Sequence, residues 1–371
     1  MKILSLSLQN FRSFPDLTIN WAQGQQHLLL GPNGAGKTNL LEALAVLSLT
    51  RSFLSVDEQD VVLWGGDFYR VRGEVEDDEG QTGTVEVVSQ FLPRKQKACF
   101  INDVRTPISD ALGHVPTVTF LPQDLELFVG SPALRRRFLD DILCQVSPQY
   151  SRALSQYLKI LKQRNSLLRR IADGNARRAD LASWDTMLAQ AGARIVIGRL
   201  ELIEVFQCAL GSEIRSLGEQ WQDIQMVYTR KGDAREEAEL SEQFCALLQH
   251  YQDRDVLLQS TTVGPHRDDW SLMVDDRPLQ TFASRGQQRT AVLALLFLKV
   301  SFLELRRGEK PLVLLDDVFS ELDDHHQVSL LQTFDDYQVF VSATHVPPEL
   351  HGAQMWWVGE GKVVAKAFQS A

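Results

Sequence analysis

The chain has 371 residues, of which 44% are hydrophobic and 23% are charged, as is typical of a globular protein with two or three domains. Its formal net charge of −10 disfavours nucleic-acid binding through a uniformly basic surface, and its four widely spaced cysteines argue against a disulfide framework or a zinc site. We find no signal-peptide pattern and no apolar run of roughly 18 residues, so we expect a cytoplasmic protein without a membrane partner.

The first predicted elements surround a glycine-rich loop. Alternating leucines from Leu4 to Leu8 predict a strand, and its partner begins near Leu17. The apolar run His27–Leu30 is typical of a short buried strand, and Asn39–Leu47 is typical of a helix. Strand, glycine loop and helix therefore follow one another in the order that a phosphate-binding loop requires.

The loop fits the pattern G-x-x-x-x-G-K-[ST] at every fixed position. Its glycines let backbone N–H groups face a phosphate, and the helix N-terminus adds a partial positive charge. Lys37 is the candidate to reach the β- and γ-phosphates of ATP, and Thr38 is the candidate to ligate Mg²⁺. We expect the whole loop to bind the nucleotide: Gly31, Pro32, Asn33, Gly34, Ala35, Gly36, Lys37 and Thr38.

Strand patterns and turns fill residues 61–108, which predicts an antiparallel sheet beside the nucleotide lobe. Val115–Leu121 is typical of a buried strand. Gln123 follows that strand and is a candidate to couple a helical arm, predicted from the residues that follow, to the nucleotide. We also expect Gln123 to ligate the metal.

Two long amphipathic helices, Gln149–Ile171 and Trp184–Leu217, predict an antiparallel helical arm whose apolar stripes pack together. The elements predicted around and after the arm are a helix starting at Ser131–Asp140, a short helix at Ser241–Tyr251, a hairpin turning at Asp275-Asp276, a buried helix at Thr290–Leu305 and buried strands at Pro311–Leu315 and Gln338–Ser342.

Positive charge is concentrated in the arm. Between Ser151 and Arg178 there are eight basic residues and one acidic residue, a balance of +7 in an acidic chain. This asymmetry favours binding to the DNA backbone, although an ordinary solvated helix or, for Arg164, Arg169 and Arg170, a protein partner are alternatives. The candidate DNA-binding residues are Arg135, Arg136, Arg137, Lys159, Lys162, Arg164, Arg169 and Arg170.

Three further stretches carry chemistry. The apolar run before Asp316 and Asp317 predicts a strand that ends in a metal-binding carboxylate followed by one that polarises the attacking water. Ser284 is a helix N-cap or, with Gly286 and Gln287, a second phosphate-facing helix terminus that would close over ATP held by another subunit. His345 follows the last buried strand and is either catalytic or structural.

These stretches occur in the order typical of ABC-type ATPases, and Ser320–Asp323 resembles their D-loop. More specifically, the chain resembles the RecF family of bacterial DNA replication and repair proteins. The stretches that carry this resemblance are Leu8–Phe14, Gly31–Glu42, Ser131–Asp140, Gly264–Asp269, Ser284–Thr290 and Leu314–Asp323. Arg285 stands where transporter ATPases usually have Gly, and Asp317 where they have Glu.

The resemblance implies an α/β fold: an ABC-type head, with a mixed sheet and an antiparallel β subdomain, at residues 1–125 and 262–371, and a helical arm at 126–261. It implies an ATP-dependent head-to-tail homodimer, with Mg²⁺, whose slow, DNA-stimulated hydrolysis uses Lys37, Gln123, Asp317 and His345. It also implies binding to duplex DNA and to single-strand/duplex junctions, partnership with RecR and RecO, and roles in RecA loading and SOS induction.

Two other classes compete with this interpretation. The first is a membrane-transporter ATPase, in which fewer residues would separate the phosphate loop from the serine-glycine-glutamine segment than the 247 between Lys37 and Ser284. Structural chromosome proteins of the SMC type have similar heads but far longer coiled coils than this arm.

Overall fold

The computed structural model of the protein describes residues 1–21, 24–54, 57–347, 350 and 352–366. The chain divides into two compact units. The first unit comprises residues 1–126 and 289–371, and the second comprises residues 127–288. Residues 262–288, which the sequence analysis placed in the head, group with the second unit. The reason is that they include β-strand residues that pair with residues 224–229 of that unit.

The first unit contains two six-stranded sheets. The strands of the antiparallel sheet are β1 (Lys2–Phe11), β2 (Phe14–Asn20), β4 (Phe68–Glu76), β5 (Thr82–Gln90), β6 (Gln96–Ile101) and β7 (Val104–Thr106), in the order β2-β1-β4-β5-β6-β7. Those of the mixed sheet are β3 (Gln26–Leu30), β8 (Thr117–Phe120), β12 (Leu312–Asp316), β13 (Val339–Ala343), β14 (Gln354–Gly359) and β15 (Lys362–Lys366).

The mixed sheet has the order β15-β14-β3-β13-β12-β8, and its strands pair in parallel except for the β14–β15 hairpin. The predicted mixed sheet and the antiparallel subdomain are thus confirmed. Parallel strands are buried on both faces, which explains why β12 and β13 are apolar and fully buried along their length.

Helix α1 (Lys37–Leu49) forms the centre of the first unit's core. It packs against strands of both sheets, including β4 and β12, so nearly all of its residues from Leu40 onward are buried. A helix with apolar residues on nearly all sides is stable only in such a position. The helices that follow in this unit are α2 (Ile108–Ala111), α9 (Arg285–Arg307), which starts just before the unit boundary, and α10 (Asp324–Thr333).

The second unit is mainly helical and confirms the two long predicted helices. Its helices are α3 (Pro132–Val146), α4 (Pro148–Ala172), α5 (Ala182–Ser216), α6 (Glu237–His250), α7 (Gln252–Leu258) and α8 (Leu279–Phe282). Helix α5 packs against α4 on one side and α6 on another. A small antiparallel sheet, β11-β10-β9, completes the unit with strands β9 (Ile224–Thr229), β10 (Asp269–Val274) and β11 (Arg277–Pro278).

Several elements were not predicted from the sequence: β9, α10 and the β14–β15 hairpin. Strand β9 alternates buried and exposed residues from Ile224 to Val227, so its period was visible in the sequence. Among the described residues, no helix combines the length and apolar content needed to cross a membrane.

Two glycines inside α5 allow a test of the packing. A Cβ at Gly192 would lie 2.5 Å from Cε1 of buried Phe244, whereas a Cβ at Gly211 would meet only the flexible end of Arg215 at 3.3 Å and Ile224 at 3.9 Å. We expect Gly192→Ala to destabilise the protein by about 1–3 kcal/mol through overpacking. Gly211→Ala should instead stabilise it by up to about 1 kcal/mol through helix propensity.

The measurement is the midpoint of urea denaturation of both variants and of wild type, with unfolding monitored by circular dichroism. Two shifts of the same sign would contradict the packing of α5 on α6.

Candidate functional site

The loop between β3 and α1 is tightly curled, and several of its positions can be occupied without strain only by glycine. Gly34 and Gly36 have left-handed backbone angles, with φ of 79° and 102°. A Cβ at Gly31 would lie 2.4 Å from the carbonyl oxygen of Val358 on β14, so this position requires glycine for close approach. The loop therefore has the conformation expected of a phosphate-binding loop in front of a helix N-terminus.

Lys37 lies back across the loop. Its Nζ donates hydrogen bonds to the carbonyl oxygens of Gly31, at 2.8 Å, and Pro32, at 3.1 Å, and the side chain is buried. The ammonium is thus held above the loop backbone, where a phosphate would also approach. A mobile surface lysine would not provide a fixed positive charge at this point.

Thr38 and Asp316 meet at the carboxyl edge of the mixed sheet. The Thr38 hydroxyl donates to the Asp316 carboxylate, with distances of 3.0 Å to Oδ1 and 2.9 Å to Oδ2. The Ser342 hydroxyl donates to Asp316 Oδ1 at 2.6 Å. Asp316 and Ser342 are register partners on parallel strands, so strand pairing brings these residues together from positions far apart in sequence.

Asp317 follows directly but has a different environment. It adopts a left-handed backbone angle (φ 50°), and its N–H donates to Ser342 Oγ at 2.9 Å. Burial, and then the neighbouring Asp316 carboxylate, raise the pKa of Asp317 above its usual value, while Lys37 opposes the shift. A carboxylate with a raised pKa binds a proton more readily, which suits a general base.

Gln123 and His345 also follow strands of the mixed sheet. Gln123 lies in a 3-10 helix (Pro122–Glu126) after β8, the neighbour of β12, and its side chain is exposed. His345 is exposed two residues beyond β13, and its Nδ1 is 2.9 Å from Oγ1 of Thr344. Neither side chain hydrogen-bonds to Asp316 or Asp317 among the residues that the structure describes.

Ser284 caps the start of α9. Its hydroxyl accepts from the N–H of Gln287 at 3.2 Å, and the Gln287 side chain accepts from the N–H of Ser284 at 3.0 Å, which is a reciprocal capping box. The predicted capping role is therefore present. Ser284, Arg285 and Gly286 remain exposed, so this helix terminus is accessible.

Two of the predicted DNA-binding arginines are structural, and for them the prediction is corrected. Arg135 is buried, forms a bidentate ion pair with Asp269 at 2.8 Å and donates to backbone carbonyls. Arg164 is fully buried and pairs with Asp185 at 2.6 Å and Asp255 at 2.7 Å. A buried charge requires such partners, and neither guanidinium is available to a phosphate on the surface.

The other arm candidates are more accessible. Arg136 is half-buried and donates to the Asp268 carbonyl at 2.8 Å, and half-buried Arg137 lies 3.4 Å from Asp141. The remaining four are exposed on α4, lie within roughly 100° of one another around the helix axis, and have no ion-pair partner in the described part of the chain. We call this set the basic stripe: Lys159, Lys162, Arg169 and Arg170.

Comparisons with known proteins assign the chain to a family. A family model described as "RecF/RecN/SMC N terminal domain" matches residues 2–354. The DNA replication and repair protein RecF of Heliobacterium modesticaldum is 34% identical to the chain, and the alignment covers 98% of this chain and 99% of that protein. The chain belongs to the RecF family. The RecF of Geobacillus kaustophilus is 35% identical, over 98% of this chain and all of that protein.

A solved RecF structure has the same fold over nearly the whole chain. It is described as the recombination mediator protein RecF-ATPrS in the RecFOR pathway, and it superimposes with a TM-score of 0.91 at 29% identity. The match covers 99% of this chain and 98% of that one. The resemblance to the RecF family that was drawn from sequence motifs is thus confirmed.

In this RecF-family chain, one residue that contacts the acid pair and one ion pair that holds the helix after the phosphate loop were missed from sequence. Ser342 bridges Asp316 and the backbone of Asp317, but a serine at a strand end carries no distinctive signal.

Arg12 forms a bidentate pair with Glu42 on α1, at 2.7 Å for both bonds, and Ser52 also donates to Glu42. Glu42 is completely buried, so Arg12 anchors the turn between β1 and β2 against the helix that follows the phosphate loop.

The Arg12–Glu42 pair makes a stability prediction. Arg12→Ala leaves the buried Glu42 carboxylate without its cation, so we expect a loss of about 3–5 kcal/mol in the free energy of unfolding. Arg12→Ala/Glu42→Gln should recover part of that loss because the buried charge is removed as well. The measurement is chemical denaturation, with the exposed Arg177→Ala as control. Equal stability of Arg12→Ala and Arg177→Ala would disprove the anchoring role.

Proposed function

We propose that the chain is an ATP-dependent DNA-binding clamp of recombinational repair. The observation that carries this proposal is the meeting of Thr38 with Asp316 beside the phosphate loop, because it joins the two halves of a nucleotide site across 278 residues of sequence. Similarity to RecF proteins over the full chain favours this function over a transporter ATPase or a structural chromosome protein.

ATP is the proposed nucleotide. The loop Gly31–Thr38 would surround its phosphates with backbone N–H groups, and Lys37 would exchange its carbonyl partners for phosphate oxygens. The Thr38 hydroxyl and the Asp316 carboxylate are hard oxygen ligands in mutual contact, so they fit Mg²⁺, with Gln123 as a further candidate. When bound, Mg²⁺ supplies charge neutralisation at the phosphate oxygens.

Hydrolysis is assigned to residues at the same sheet edge. Asp317 would orient the attacking water and accept its proton, and exposed His345 and Gln123 would complete the arrangement around the terminal phosphate. The aspartate side chain is one methylene shorter than the glutamate of transporter ATPases. Asp317 would therefore reach the attacking water less well than a glutamate would. We therefore propose slow turnover, stimulated by DNA, that acts as a switch.

Dimerisation would complete the site. Ser284, Gly286 and Gln287 lie at an exposed helix start, and we propose that they face the ATP held by a second copy in a head-to-tail homodimer. In this proposal the ATPase head, which the sequence analysis placed at 1–125 and 262–371, binds and hydrolyses ATP. The helical arm, which it placed at 126–261, binds DNA.

The basic stripe supports DNA binding. It extends over roughly 17 Å of α4, and that helix contains no Asp or Glu, so the stripe presents only positive charge to a phosphate backbone. Arg136 and Arg137 are further candidates. Duplex DNA and single-strand/duplex junctions are the proposed substrates, and RecR- and RecO-type proteins are the proposed partners in RecA loading and SOS induction.

The clamp predicts an ATP-dependent change in mass. Asp317→Asn should bind ATP without cleaving it and convert from monomer to dimer when ATP and Mg²⁺ are added, as measured by light scattering after gel filtration. Lys37→Met should remain monomeric because the phosphates lose their fixed cation. Lys362→Met replaces an exposed lysine of the same unit and should behave as wild type. A mass that ignores ATP, with and without duplex DNA, would refute the clamp.

The basic stripe predicts a salt-dependent affinity. In Lys159→Ala/Lys162→Ala, duplex affinity should fall, and the slope of log K against log salt should decrease by about 0.9 for each phosphate that the protein no longer neutralises. Arg194→Ala/Arg235→Ala removes two other exposed charges of the second unit and is the matched control. Fluorescence anisotropy at several salt concentrations makes the comparison. Equal effects of the two double variants would exclude α4 as the contact surface.

A further inference from the structure

The turn after the acid pair is held by side chains that the proposed mechanism does not use. We call residues 317–323 the acid-pair turn. Ser320 Oγ donates to the carbonyl of Asp317 at 2.8 Å. Gln327 on α10 donates to the carbonyls of Phe319, at 2.7 Å, and Leu322, at 2.8 Å. The backbone that carries Asp317 is therefore fixed to the first turns of α10.

His326 extends this network to another helix. Asp323 caps α10 by accepting from the N–H of His326 at 3.0 Å, and its Oδ1 also lies 2.8 Å from His326 Nδ1. The other ring nitrogen, Nε2, is 3.0 Å from the hydroxyl of Thr290 on α9. His326 and Thr290 are both more than nine-tenths buried. With both ring nitrogens engaged, the imidazole has a fixed orientation and bridges segments 36 residues apart.

A second contact parallels the first. Arg289, one residue before Thr290, pairs with Glu321 of the acid-pair turn at 3.0 Å. This pair is part-exposed and contributes little on its own. Two contacts from consecutive residues of α9 nevertheless define the position of the turn relative to that helix, and Gly286 and Gln287 lie in the first turn of the same helix.

We propose that His326 is a positioning residue that couples the acid-pair turn to α9. Through it, the backbone of Asp317 is attached to α9, the helix whose first turn would approach a second copy's ATP. Closure of the dimer would then set the orientation of Asp317, and water attack would be efficient only in the closed state. This inference rests on the proposed ATP-dependent clamp and adds the contact, from His326 to Thr290, through which closure would reach Asp317.

Thr290 provides the sharpest test because its hydroxyl can be removed almost without change of shape. Thr290→Val keeps the volume and loses the partner of His326 Nε2, whereas Thr290→Ser keeps the hydroxyl. The experiment measures the ATP dissociation constant, the ATP-induced mass and the single-turnover hydrolysis rate for wild type and both variants, together with His326→Ala and the melting temperature of each.

We expect Thr290→Val and His326→Ala to bind ATP within about twofold of wild type but to hydrolyse it about tenfold more slowly in a single turnover, since small misplacements of a reacting group cost large factors. Thr290→Ser should restore most of the rate. A purely structural role would lower the melting temperature and leave the rate of the folded protein unchanged.

The outcomes separate the two hypotheses. If Thr290→Val hydrolyses ATP at the wild-type rate, the coupling role of His326 is refuted and the clamp stands. If Thr290→Ser is as slow as Thr290→Val, the hydroxyl is not the link, and the coupling is likewise refuted. If wild type itself neither binds ATP nor changes mass, the clamp fails and the coupling fails with it.

Discussion

The site depends on the hydrogen bonds that Thr38 and Ser342 donate to the buried carboxylate of Asp316. Burying a carboxylate without partners is costly, and Asp316 avoids this cost by accepting hydrogen bonds from Thr38 and Ser342. Thr38 lies in the first turn of α1 and Ser342 on the neighbouring parallel strand, so the Asp316 carboxylate connects the phosphate loop, β12 and β13. The parallel sheet is needed to assemble the site because it brings the carboxyl ends of these strands to one edge.

Motifs with a local physical cause were the most predictable part of the chain. The phosphate loop, the buried strand before Asp316 and the long helices each have a period or spacing that is visible without tertiary structure. The Arg12–Glu42 pair and the bridging role of Ser342 were not predictable in this way. Their partners lie 30 and 26 residues away, and only the packing of α1 and the strand register bring them together.

The arginines show the same limit for charge. Counting cations in α4 found the basic stripe but also included Arg164, which lies about 140° around the helix from Lys159 and therefore faces the interior. A helical projection would have separated these two residues. No local pattern would have separated Arg135 from Arg136, because the difference is that Asp269, 134 residues away, pairs with Arg135. The number of cations counted in a segment is therefore an upper bound on the number that can contact a partner.

Within the proposed clamp, the distribution of polar partners has a mechanistic consequence. Lys37, Thr38 and Asp316 are already fixed by protein hydrogen bonds, so binding the nucleotide requires little ordering of these groups. Gln123 and His345 are exposed, and they make no hydrogen bond to the acid pair among the described residues. A site with an ordered binding half and an open catalytic half would hold ATP well and cleave it slowly until a second surface closes over it. In the proposed clamp, slow turnover would then follow from the open catalytic half, and the short Asp317 side chain would reinforce it.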